Sequence, residues 1–148
     1  MEIQLVVFGL AGEDFGVPIA QVREINRLVP ITALPKSPPS VLGIINLRGK
    51  VIPVISLRDR FGFPKAADDE ATRIVVSDVA GQTVGFVVDA VTEVLRLEDA
   101  AIEPAPESAA SVDSTFIEGI GKVEDRLVIV LDLAKVFDFS VLADLKTE

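Results

Sequence analysis

The chain of 148 residues contains no cysteine, no histidine, no tryptophan and no tyrosine. Without cysteine there is no disulfide, no thiolate nucleophile and no Cys-based metal site. Without histidine the commonest metal ligand, the commonest general base and the usual phosphorelay residue are all missing. Serine and aspartate remain, but no histidine completes a nucleophilic triad. Positive charge is also scarce: 14 Lys and Arg stand against 23 Asp and Glu, a net charge of −9. That is the wrong sign for neutralising phosphates. No apolar run reaches the ~18 residues of a membrane-spanning helix, and Met1-Glu2-Ile3-Gln4 lacks the basic region of a signal peptide. The composition disfavours most enzyme classes and nucleic-acid binding.

What is present is apolar and punctuated. Hydrophobic residues make up 49% of the chain and mean hydropathy is +0.47, far from a disordered composition. A chain this long buries about 70% of its unfolded surface and needs no staples. Glycines, prolines and β-branched residues interrupt short apolar runs. Ile3–Leu10, Val51–Leu57, Arg73–Val79, Thr83–Val88 and Leu127–Leu133 read as strands, and no long helical periodicity appears.

The strongest internal signal is a repeat. Residues 3–25 laid on 72–94 match at 7 of 23 positions, among them Gly12/Gly81, Gly16/Gly85, Val22/Val91 and Glu24/Glu93. Residues 42–63 laid on 118–139 match at 6 of 22, including Gly43/Gly119, Phe61/Phe137 and Phe63/Phe139. Chance supplies roughly one or two matches in each. The expected organisation is one domain over residues 1–139, with repeats at about 3–63 and 72–139. A tail at 140–148 follows, with a short helix expected near Val141–Lys146.

Each repeat reads as two hairpins and a helical turn. Ala11-Gly12 and Ala80-Gly81 suit the first hairpin turns, and Arg48-Gly49-Lys50 and Glu124-Asp125-Arg126 the second. Ser56 and Asp132 are good N-caps for the helical turns that follow. Pro64–Ala71 links the repeats, while Leu34–Pro39 and Pro104–Ser111 are loops within them. Pro18 and Pro53 lack the ladder N–H and predict sheet edges or bulges. The expected fold class is mainly β: two small five-stranded barrels of SH3-like or OB-like shape, made by duplication and closed so as to remove exposed edges.

Chemistry-bearing motifs are absent. Gly119-Ile120-Gly121-Lys122 departs from a phosphate loop, with Phe116 at the first glycine position and Val123 at the Ser/Thr position. No carboxylate pair stands apart from solvated loops, and no cofactor is implied. Charge is unevenly spread: residues 1–65 carry +3 and residues 66–148 carry −12. Unlike halves suit heterologous, head-to-tail contacts between barrels.

One group of residues is more specific. Phe15-Gly16-Val17-Pro18-Ile19 with Val22-Arg23-Glu24-Ile25 resembles the signature of the CheW family of chemotaxis adaptors. So do Gly43-Ile44-Ile45-Asn46-Leu47-Arg48-Gly49 and Val51-Ile52-Pro53-Val54-Ile55-Ser56-Leu57-Arg58. The second repeat continues it with Val84–Asp89, Val91-Thr92-Glu93-Val94 and Asp125–Ile129, so the likeness spans about Leu5 to Phe137. Ser56 stands where that family usually has Asp, and either residue caps a helix.

The resemblance implies two barrels that exchange strands, so that a repeat boundary near Pro64 need not be a barrel boundary. It implies a non-enzymatic cytoplasmic adaptor recruited to membrane receptor arrays. Its partners would be the cytoplasmic tips of chemoreceptors and the regulatory domain of the chemotaxis histidine kinase. Carried over by position, receptor contacts fall on Val22, Glu24, Arg48, Val91 and Val94, and kinase contacts on Gly43, Asn46 and Gly49. Two other readings stand beside it. One is a CheW-like regulatory fragment of a kinase or of a receiver-fused adaptor. The other is a small barrel binding oligosaccharide or oligonucleotide, for which the stacking aromatics and basic groove are lacking.

Overall fold

A computed structural model describes residues 1–35, 40–64, 66–98, 101–104 and 114–137. The expected tail helix, Phe139 and most of the two proline-bearing loops lie outside the described residues. Eleven strands run in chain order: β1 (Glu2–Leu10), β2 (Glu13–Pro18), β3 (Val22–Arg27), β4 (Val41–Leu47), β5 (Lys50–Ser56), β6 (Arg73–Val79), β7 (Gln82–Val88), β8 (Ala90–Glu98), β9 (Ile102–Glu103), β10 (Ile117–Val123) and β11 (Arg126–Leu131). Two helical turns, α1 (Leu57–Phe61) and α2 (Leu133–Val136), follow β5 and β11. Leu57 and Leu133 open these helices, as the caps Ser56 and Asp132 predict, so the strand readings run one or two residues too far. Ser56 Oγ accepts from the Asp59 amide at 3.3 Å and Asp132 Oδ1 from the Ala134 amide at 3.1 Å.

The strands form two sheets, and each mixes the repeats. Sheet I has the order β8-β1-β2-β11-β10-β9, and sheet II the order β3-β6-β7-β5-β4. The first hairpin of repeat one thus joins the second hairpin of repeat two, and the reverse holds in sheet II. Both junctions are parallel and repeat-equivalent: Gly16 pairs with Val130, and Gly85 with Val54. A Cβ at Gly16 would lie 3.1 Å from Val128 Cγ1, and one at Gly85 3.3 Å from Ile74 Cγ2, so glycine admits the inner side chains of each sheet.

Burial explains why the strands read as continuous apolar runs. In β1, Leu5 and Val7 pack with Leu97, Val128 and Val130 inside sheet I. The alternate residues Val6, Phe8 and Leu10 join a larger cluster between the sheets. In β6, Ile74 and Val76 pack inside sheet II, while Val75 and Val79 face the central cluster. Each sheet therefore has a small core of its own, and the two share a third. Phe8 lies 6.0 Å from Phe15 and 5.6 Å from Phe86 there, and Phe86 is 6.1 Å from Phe137. Burial of each such aliphatic or aromatic side chain contributes about 1.5–3 kcal/mol.

Two proline expectations need correction. Pro53 lies in β5, an interior strand between β7 and β4, not at a sheet edge or bulge. Its cross-strand neighbour Ile44 spends both backbone groups on Thr32, at 2.9 Å each, so the β4 side asks nothing of residue 53. Pairing with β7 begins only at Val54. Pro18 is likewise in an interior strand, but at its last position.

Candidate functional site

β3 and β8 occupy the same place in their sheets. Each is the terminal strand of its sheet order, laddered on one flank only. Each enters its sheet after the chain crosses from the other one, through the 3-10 turn Ile19–Gln21 before β3 and through Asp89 before β8. Each carries a bulge at repeat-equivalent positions: the register breaks between Val22 and Glu24 in β3, and between Val91 and Glu93 opposite Phe8 and Val7.

These bulges set the side chains of the predicted receptor-facing residues. Val22 is paired with Ser77 and Val91 with Phe8, and both valines rest half-buried on the one central cluster. Farther along, Val94 is 52% exposed and its repeat mate Ile25 is 40% exposed. The two edge strands thus share an apolar footing and display apolar side chains beside it.

Glu24 and Arg48 are brought into direct contact. The Arg48 guanidinium, at the tip of the β4–β5 hairpin, pairs with Glu24 Oε2, and Asn26 Nδ2 donates to Glu24 Oε1 at 2.9 Å. The Asn26 amide first, and Arg48 second, hold the Glu24 carboxyl below its ordinary range. Across the molecule, Glu93 has an equivalent partner that residue reading missed. Arg126 Nη1 donates to Glu93 Oε2 at 2.6 Å and Nη2 to Asp14 Oδ2 at 3.1 Å. The Glu24/Glu93 repeat match was the available signal, with the basic pair Lys50/Arg126 as a weaker one.

The predicted kinase-facing residues divide. Asn46 and Gly49 are exposed at the hairpin tip, where Asn46 Oδ1 accepts from the Gly49 amide at 2.9 Å. Arg48 and Gly49 both have positive φ, +52° and +84°, which suits the right-handed twist of a two-residue hairpin. Val51, beside them, is 53% exposed. Gly43 is different: it is buried at a bulge, with φ +146°, and a Cβ there would lie 2.0 Å from the Thr32 carbonyl oxygen. It shapes β4 from inside and offers no surface.

A further polar group ties the sheets together. Asp89 Oδ2 accepts from the Ala11 amide at 2.9 Å and from Arg58 Nη2 at 2.5 Å, and Oδ1 accepts from Arg58 Nε at 3.0 Å. The carboxylate therefore joins the β1–β2 turn of sheet I to α1, at the end of sheet II. Arg58, above all, holds its pKa below the ordinary value. Asp78 is also lowered, chiefly by the Thr83 hydroxyl. Among the described residues, every carboxylate that departs from its ordinary range moves down, toward permanent charge. Such groups make ion pairs and do not donate protons at neutral pH.

Comparisons with known proteins place the fold in a family. The model of the CheW-like domain matches residues 4–140. A probable chemotaxis protein CheW of Rhizobium etli is 39% identical over 135 residues, covering 90% of this chain and 86% of that one. Chemotaxis protein CheW of Klebsiella aerogenes is 33% identical over 140 residues, covering 95% and 84%. The crystal structure of the scaffolding protein TtCheW from Thermoanaerobacter tengcongensis superposes with a TM-score of 0.87 at 42% identity, over 93% of this chain and 89% of that one. With its duplicated hairpins exchanged between two sheets, the chain belongs to the CheW-like family of chemotaxis adaptors.

Proposed function

We propose that this adaptor joins the cytoplasmic tip of chemoreceptors to the chemotaxis histidine kinase, without catalysis of its own, in arrays beneath the membrane. The carrying observation is the pair Val22 and Val91, repeat mates that rest on one apolar cluster from two edge strands. A helical partner buries apolar side chains at i, i+3, i+4 spacing, and a surface with an apolar centre and glutamates on both sides accepts it. The exposed β4–β5 tip, with Asn46, Gly49 and Val51, is the surface for the kinase regulatory domain, while Arg48, paired to Glu24, stays with the receptor-facing residues. Its basic flank would meet an acidic face, so salt should slow association more than it speeds release.

The test is reconstitution of kinase autophosphorylation with a receptor fragment and with Val91→Glu. A charge on a hydrated surface leaves the free protein folded, yet placed against an apolar helix it costs several kcal/mol. The expected result is a near-normal melt, retained kinase binding and lost receptor binding. Val75→Glu, at a fully buried position, should instead unfold or aggregate. Full receptor binding by Val91→Glu, or a melt lowered by many degrees, would remove that residue from the site.

A further inference from the structure

In sheet II the chain beyond β3 reaches β4 through the paired backbone bonds of Thr32 and Ile44, but the edge strands themselves are not laddered across the gap. Among the described residues no ladder joins β8 to β9 or β10, nor β3 to β4. Side chains also cross each seam. In sheet II Arg48 does so by reaching Glu24 of β3, while Lys50 Nζ donates to Thr83 Oγ1 at 3.0 Å between the laddered neighbours β5 and β7. In sheet I a single residue does both. Arg126 stands in the repeat position of Lys50, and its two carboxylates, Glu93 and Asp14, stand in those of Glu24 and Thr83. The repeat position of Arg48 is Glu124, which cannot serve. The same span is thus bridged twice by different residues.

We propose that Arg126 is a positioning residue for the receptor-facing surface, holding edge strand β8, and with it Val91 and Val94, against the β10–β11 hairpin. The inference rests on the receptor-facing reading of β8 given above. Where β8 carries these valines its ladder is interrupted, because the bulge falls between Val91 and Glu93. A bulge leaves one residue unpaired and lets the strand bend. Glu93 is the first residue after it and neighbours Val94. A planar guanidinium forked between carboxylates on β2 and β8 restrains that bend in direction as well as distance. Both carboxylates and the arginine are partly solvated, with side-chain exposures of 35–39%. The clasp is therefore strong enough to set a strand and weak enough to leave the fold intact without it.

The experiment compares Arg126→Gln, Glu93→Gln, the double variant and Arg126→Lys in the full chain, with Val91→Glu alongside. Affinity for a helical-hairpin fragment of a receptor tip and amide exchange along β8 are both measured. Arg126→Gln should bind about fivefold more weakly, chiefly through faster release, with melting nearly unchanged. Exchange at Glu93–Leu97 should quicken while β6 stays protected. The double variant should be no worse than either single, as for one shared interaction, and Arg126→Lys should recover part of the affinity. Normal binding by Arg126→Gln beside lost binding by Val91→Glu overturns the positioning role alone. If Val91→Glu also binds normally, the receptor-facing reading has failed. Exchange then decides: unchanged protection of β8 in Arg126→Gln overturns the clasp, and quickened exchange upholds its hold on the strand. Should Arg126→Gln fold poorly, Glu93→Gln carries the same comparison with the arginine still paired to Asp14.

Discussion

Sheet I and sheet II are built from equivalent hairpins, yet they match inside and differ outside. Their buried positions correspond residue by residue: Leu5 with Ile74, Val7 with Val76, Gly16 with Gly85, Val54 with Val130. Their bulges also fall at equivalent places. Apart from Glu24 and Glu93, the polar residues that close and join them do not correspond. Asp89 and Arg58 latch one crossover, whereas the repeat positions at the other are Ala20 and Ala134. Close packing penalises a change of one methylene in a core, while a surface pair contributes little and is easily replaced. Duplication therefore preserved geometry and released chemistry, which is how a pseudo-symmetric scaffold comes to have unlike ends.

The sharpest way to break the correspondence is at the paired bulge glycines. At Gly43 an added Cβ meets a backbone carbonyl at 2.0 Å in a φ of +146°, whereas at Gly119 it meets Ile102 Cγ2 at 2.6 Å and the Glu103 carbonyl oxygen only at 2.9 Å, with no positive φ. Gly43→Ala should cost about 3–5 kcal/mol and Gly119→Ala about half as much, read from urea unfolding. Equal losses would show that the two bulges bear the same strain.

The one-sided latch predicts an acid-dependent difference. Asp89 has a folded pKa below its ordinary 3.8. Its contribution is therefore complete above that value and disappears as pH falls through the lower folded one. Asp89→Asn should lose about 1 kcal/mol at pH 7, a modest figure because the Asp89 side chain is 37% exposed and solvent-screened. The gap from the parent should narrow under acid, in melts followed between pH 7 and pH 2. A gap that stays constant with pH would assign the loss to packing and not to charge.

The smallest effect concerns the repeat mates Phe8 and Ser77. Phe8 stacks on Phe15, while Ser77 is fully buried with a hydroxyl that has no hydrogen-bond partner among the described residues. Ser77→Ala should be neutral or stabilising by up to about 1 kcal/mol, since it removes an unsatisfied polar group. A loss above 1 kcal/mol in the same unfolding assay would mean that the hydroxyl is satisfied in solution.

The sequence by itself determined the hairpins, the helical turns and their duplication, but not β3 and β8, which follow each first hairpin and become strands by joining a sheet. Turn glycines, the Ser56 and Asp132 caps, paired apolar runs and the repeat itself are local properties, each legible within a few residues. Val22, Val91, Glu24 and Arg48 are singled out by the family signature they stand in, and only the fold brings Glu24 and Arg48 into contact. The tertiary structure alone decided which hairpin joins which sheet. The two repeats carry near-equivalent apolar faces, so pairing within a repeat and pairing across repeats satisfy the same local pattern. It also decided that Gly43 is inside, because the chain passing it, at Thr32, is brought there by the fold and not by proximity in sequence. The Arg126 clasp was invisible for the same reason: Glu93 and Asp14 are 33 and 112 residues away, and only the curl of sheet I brings three strands to one guanidinium.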